Sequence, residues 1–185
     1  MAHMRKPTKE DLITAAGKTI PDLIAPGLRI LFCGINPGLY SAATGFHFAR
    51  PGNRFWATLH KAGFTDRLLL PSEQRDLLKN SYGITNLVAR STASAAELSS
   101  AELINGGQQL EMNVRRYRPD VVAVLGIGAY RTAFGFPKAQ LGRQDAPIGT
   151  SILWALPSPS GLNAHYQLQE LAQLFRELRL AAQAK

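Results

Sequence analysis

Asn36 stands directly after a short apolar run, Leu28-Arg-Ile-Leu-Phe-Cys-Gly-Ile35, and is followed by Pro37 and Gly38. A carboxamide in that place can hold a water molecule or a polar substrate group, but it cannot remove a proton as a carboxylate general base does. Asn-Pro-Gly is also an ordinary turn starter. A second Pro/Gly-rich loop, Pro157-Ser-Pro-Ser-Gly-Leu-Asn163, follows another apolar run, Ser151 to Leu156. Neither loop carries G-x-x-x-x-G-K-[ST], G-x-G-x-x-G or G-x-S-x-G, so a nucleotide fingerprint and a serine nucleophile elbow are both missing. One cysteine, Cys33, permits no intrachain disulfide, and four dispersed histidines (His3, His47, His60, His165) show no metal-ligand spacing. No metal and no cofactor are therefore expected. Ser41 and His47 also belong to the first loop, where a histidine is more often solvated than catalytic; His47 is given no role.

Charge narrows the choice of ligand. Lys plus Arg is 21 against 13 Asp plus Glu, a formal net charge of +8, which favours a polyanionic partner such as nucleic acid. Between Asp22 and Asp66 there is no carboxylate, while Arg29, Arg50, Arg54 and Lys61 fall inside that window. A cationic ligand is a poor match for this segment. No stretch reaches the roughly 20 apolar residues of a membrane span, and no secretory signal is visible. The expected location is the cytoplasm, with no membrane partner.

The elements that must position these loops follow from periodicity. Residues 8–17, 53–62 (with Asn53 as N-cap), 71–79, 99–117, 129–134 and 166–184 read as helices. Short apolar runs at 28–35, 84–88, 120–125 and 151–156 read as strands covered on both faces. Their alternation predicts a three-layer α/β sandwich whose central, mostly parallel sheet has four strands flanked by helices. Ligands of such sheets bind beyond the carboxyl ends of the strands, so the two loops should share one site. The opening Met-Ala-His-Met reads as a cloning scar over residues 1–4, leaving residues 5–185 as a single domain and, at this size, a monomer.

Gly34-Ile-Asn-Pro-Gly-Leu39, then Gly45-Phe-His-Phe-Ala-Arg-Pro-Gly-Asn-Arg-Phe-Trp56, Gly83-Ile-Thr-Asn-Leu-Val-Ala-Arg90, Tyr117-Arg-Pro119 and Leu156-Pro-Ser-Pro-Ser-Gly-Leu-Asn163 closely resemble the mismatch-specific uracil-DNA glycosylases and their relatives, the thymine-DNA glycosylases. The resemblance runs from about Leu23 to Leu178, with motifs in the same order and at similar separations. It implies a uracil-DNA glycosylase-like fold and monofunctional, metal-independent excision of uracil opposite guanine, with thymine or etheno-modified pyrimidines as further candidates. The partner would be double-stranded DNA, with single strands a further candidate, and the base would be rotated out of the helix to be cut.

By the same resemblance, Asn36 positions the attacking water and Phe48 stacks on the extruded base. Gly38 leaves the pocket open where strict uracil enzymes carry tyrosine, Ser41 lines the base pocket and Asn86 reads the base edge, although a role at the strand end is nearly as good a reading of Asn86. Ser160, Gly161, Leu162 and Asn163 form the wedge, with Leu162 as its apolar tip and the backbone of Gly161 and Asn163 meeting the orphaned guanine. Arg50, Arg54, Lys61 and Arg90 are candidates for phosphate contacts, or equally ordinary solvated charges. Two departures stand out: Ala164 replaces an arginine that some relatives carry after the wedge, and Ala89 replaces an Asp or Glu, leaving 89–96 free of carboxylates. The first leaves selectivity for the opposite base open; the missing carboxylates keep open a second reading, a binder of damaged or mismatched DNA with little or no turnover, and an α/β enzyme acting on free nucleotides or nucleosides is a third.

Overall fold

The structure is a computed structural model describing residues 5–184; residues 1–4, read above as a cloning scar, lie outside the described residues. Five strands form one sheet: β1 (Ile30–Gly34), β2 (Tyr82–Asn86), β3 (Val121–Leu125), β4 (Gly142–Arg143) and β5 (Ile152–Leu156). The helices are α1 (Lys9–Thr14), α2 (Leu39–Thr44), α3 (Phe55–Lys61), α4 (Asp76–Lys79), α5 (Ser100–Tyr117), α6 (Ile127–Phe134) and α7 (Leu168–Gln183). Strand order is β2-β1-β3-β5-β4, parallel throughout except that β4 lies antiparallel on β5.

The apolar runs are buried on both faces, and alternate residues feed two cores. On one side Phe32 meets Phe55, Phe64, Tyr82 and Phe175, burying α3 and α7 against the sheet. On the other, Leu31 and Cys33 join Leu110, Val114 and Tyr130 of α5 and α6. The expected three-layer sandwich is thus present. The sheet has five strands and not four, because the two-residue β4 edge pairs Gly142 with Ala155 and Arg143 with Trp154. Two residues are too short for any alternation to show.

Other boundaries differ as well. The second strand covers 82–86 and not 84–88, since Ile30 and Leu31 pair with Tyr82 and Gly83. The stretch 71–79 divides into a 3-10 turn at Pro71–Glu73 and the short α4. Helix α3 starts at Phe55, with Asn53 Oδ1 accepting the Phe55 N–H at 2.9 Å. The first loop also contains α2, whose end is marked by Gly45 in the left-handed region, φ 75°.

Parallel registry brings the functional ends together. Gly34 pairs with Asn86 and Leu125 with Leu156, so the carboxyl ends of β1, β2, β3 and β5 share one rim, and every loop with unusual chemistry leaves from it.

Candidate active site

A cavity of about 130 Å³ opens at that rim, and its lining includes Asn36, Gly38, Ser41, Phe48, Asn86, Ser160 and Leu162. A cavity of roughly 150 Å³ is known to accept benzene, so this one suits a single pyrimidine ring. Residues 36 and 162, which belong to separate loops, therefore face one groove.

Asn36 is held by its nitrogen. Its Nδ2 donates to Thr92 Oγ1 at 2.7 Å, to the Arg90 carbonyl at 3.0 Å and to the Pro37 carbonyl at 3.3 Å. The Thr92 hydroxyl in turn donates to the Ser94 carbonyl at 2.8 Å, so its oxygen must be the acceptor toward Asn36. With the amide nitrogen committed, Oδ1 is free of partners among the described residues and can accept a hydrogen bond from water. Thr92, buried and 56 positions along the chain, gave no signal in the sequence. Its segment, Thr92 to Ala95, forms a wall of the cavity. Ala89 is exposed and does not line it.

Phe48 stacks on Phe55 with centroids 4.1 Å apart and also lines the cavity. Its φ of 53° lies in the left-handed region, uncommon for a bulky residue and frequent where a site demands it. Ser41 Oγ accepts the Ala49 N–H at 3.0 Å, pinning the chain just beyond this strained residue. Gly34 forms the floor. A Cβ there would stand 2.5 Å from Asn86 Oδ1 and 3.2 Å from Phe48 Cζ, so only glycine lets both side chains close over β1. At Gly38, by contrast, an added Cβ meets nothing within 4 Å.

The 158–163 loop is braced from within. Asn163 Nδ2 donates to the Ser158 carbonyl at 3.0 Å, and the Leu162 N–H reaches Ser160 Oγ at 3.3 Å. Leu162 is 67% exposed, an apolar side chain held outward by its own loop. Gly161 lies against the neighbouring loop: a Cβ there would come within 2.6 Å of the Gly52 carbonyl oxygen. Its N–H and C=O have no partner among the described residues. The Asn163 N–H donates to Ser160 O at 3.0 Å, and its carbonyl accepts from Arg54 at 2.8 Å while keeping a second lone pair.

Of the four basic candidates, two are otherwise engaged. Arg54 is half-buried and donates to the carbonyls of Pro159, Ser160, Asn163 and Tyr166, so its guanidinium is taken up in bracketing the 158–163 loop. Arg90 is paired with Glu102, with N···O distances of 2.6 and 3.1 Å. That guanidinium and the Ser99 N–H hold the Glu102 carboxyl down at about 2. Arg90 is thereby tied to α5. Lys61 is exposed at the end of α3 and does not line the cavity. Arg50 is exposed, lines both the cavity and the groove beside Gly161 and Leu162, and has no ion-pair partner among the described residues.

His47 departs furthest from expectation. Far from solvated, it is 2% exposed and shares the cavity lining. No carboxylate and no lysine line that cavity, and no group of three or more His, Cys, Asp or Glu among the described residues is placed to hold a metal. No helix among them is long and apolar enough to cross a membrane.

The arrangement can orient one water by a fixed amide, stack one planar ring and present one exposed apolar tip. Comparisons with known proteins bear on the family and the fold. The model for a family described as the uracil DNA glycosylase superfamily matches residues 21–179. Among solved structures, one from Methanosarcina acetivorans, determined by solution NMR and provisionally described as a uracil DNA glycosylase, is 18% identical. The alignment covers 88% of this chain and 98% of that one with a TM-score of 0.57, a likeness of fold.

Proposed function

The chain belongs to the uracil DNA glycosylase superfamily, and from that premise we propose that it removes uracil mispaired with guanine from double-stranded DNA by extruding the base and hydrolysing its glycosidic bond. The observation that carries this reading is the single cavity shared by the Asn36 carboxamide, the Phe48 ring and the Leu162 tip. Leu162 enters the stack and fills the place of the departing nucleotide. The base enters beside Phe48, with Asn86 at its edge.

Asn36 Oδ1 then accepts a hydrogen bond from the water facing C1′. The new bond joins water oxygen to C1′, and the C1′–N1 bond breaks with its electron pair leaving on the uracil ring. The transition state is oxocarbenium-like. An amide orients the water without deprotonating it, so the surplus proton passes to solvent once C1′–O has formed. Slow turnover follows from that chemistry. The absence of lysine from the cavity lining supports a monofunctional reaction, with no Schiff base to the sugar.

A single-turnover assay with excess protein over a duplex holding one G·U pair tests the reading. Expected is an alkali-labile abasic site and free uracil. A duplex bound but left intact overturns the enzymatic reading in favour of a binder of damaged DNA.

Two substitutions probe the parts. Leu162→Ala should slow release from duplex about tenfold while changing release from single strands little, since only a duplex has a stack to fill; matched single-turnover rates on both substrates decide it. Gly38→Tyr should narrow the range of accepted bases. The Cβ position is open, so the ring can project across the cavity mouth and exclude bases bulkier than uracil. Excision of thymine and etheno-cytosine should fall at least tenfold relative to uracil, read from a panel of modified bases.

A further inference from the structure

His47 takes no step in the hydrolysis proposed above, yet it is anchored on every side. Its N–H donates to Gln74 Oε1 at 2.8 Å, and its carbonyl accepts from Trp56 Nε1 at 3.1 Å. Ring Nε2 lies 3.0 Å from the Pro21 carbonyl. A carbonyl only accepts, so Nε2 carries the ring proton, and in the neutral ring Nδ1 is then a lone pair. Nδ1 faces the Asn86 amide at 3.5 Å, so that amide must turn its NH₂ toward the histidine. Asn86 Oδ1 is left on the cavity side, over Gly34 and beside Phe48, with no partner among the described residues.

We infer that His47 is a positioning residue that sets which edge of Asn86 faces the extruded base, so that the cavity presents an acceptor and selects bases bearing hydrogen on N3, such as uracil, over cytosine, whose N3 is itself an acceptor. The inference rests on the glycosylase reading and specifies how that site chooses its base. Protonating Nδ1 makes it a donor, and the amide must then rotate and show its NH₂ to the base, the wrong partner for uracil N3–H.

The surroundings keep the ring neutral. Burial lowers the His47 pKa below the ordinary histidine value, against the pull of the Pro21 carbonyl and the Asp22 charge. Asp22, in the segment before β1, has its own carboxyl raised by burial, with Thr85 and the His47 charge pulling the other way. Cys33 of β1 stays a neutral thiol, its pKa pushed far up by burial, while Gln74 and Trp56 carry no charge. With the histidine pKa depressed, the neutral ring is present at and above neutral pH, and the inverted amide appears only on the acid side.

Two readouts test this. ¹⁵N NMR of the free protein at neutral pH should show His47 Nδ1 unprotonated and Nε2 protonated. Single-turnover uracil release, followed between about pH 5 and 8, should fall on the acid side in the native chain. In His47→Gln it should be about tenfold slower at neutral pH and lack that fall. Asn86→Asp leaves the His47 packing in place but has no N–H to offer, so it should shift the His47 titration upward by NMR. A protonated Nδ1 at neutral pH, an acid limb unchanged in His47→Gln, or a His47 titration unmoved by Asn86→Asp would each overturn the assignment. The NMR arms need no substrate. If the native chain releases no uracil, the glycosylase reading falls, while the His47–Asn86 coupling is still decided.

Discussion

Asn36→Ala should lower single-turnover release of uracil from a G·U duplex by about 10²–10³-fold, the loss typical of removing one preorganised polar group from a transition state. Duplex affinity should stay within about twofold, because in the proposed reaction Asn36 meets the reacting centre and not the DNA backbone. The expectation is sharp because the amide is oriented before any substrate arrives: three acceptors, Thr92 Oγ1 and the carbonyls of Arg90 and Pro37, hold Nδ2 and leave Oδ1 for water. Undiminished release in the variant, with binding measured in parallel, would remove Asn36 from the chemistry.

Arg54→Ala should be the most damaging change outside the cavity. Its guanidinium bonds the carbonyls of Pro159, Ser160, Asn163 and Tyr166, and hydrogen bonds from a charged group contribute about 1.5–3 kcal/mol each, with incomplete additivity. A loss of roughly 3 kcal/mol and about 6–12 °C in Tm is expected for a chain of this size, together with about 10²-fold slower release from duplex. Arg54→Lys should not restore it, since one ammonium cannot span the carbonyls that a planar fork reaches. Thermal melting distinguishes this from a phosphate contact, whose removal would leave Tm unchanged and reduce the salt dependence of binding by about one charge.

These two residues also show what can be read from a chain alone. Asn36 and Leu162 were legible because both follow apolar strands, and parallel strands deliver their carboxyl ends to one rim. Arg54 was legible as a cation but not as a bracket: its partners are main-chain carbonyls over a hundred positions away, and every residue has a carbonyl. Thr92 was hidden for a similar reason, as a single hydroxyl on another loop whose value lies in the one amide it fixes. His47 in a Pro/Gly-rich loop looked solvated, and its burial depends on Pro21, Trp56 and Gln74 closing around it. The β4 edge is two residues long and has no pattern to find. The two-sided core was plain throughout, because strands covered on both faces are nearly continuous apolar runs.

The close approach of Gly161 to the Gly52 carbonyl, together with the Arg54 bracket, ties the 158–163 loop to the loop beside the cavity. In the proposed reaction a loop so braced would act as a fixed die and not as a clamp. The work of distortion then falls on the nucleic acid, and the cost depends on how readily a given step bends and unstacks. Weakly stacked, poorly paired positions yield at the lowest energetic cost, so under the proposed function discrimination would begin in the mechanical softness of the duplex, before any atom of the base is inspected.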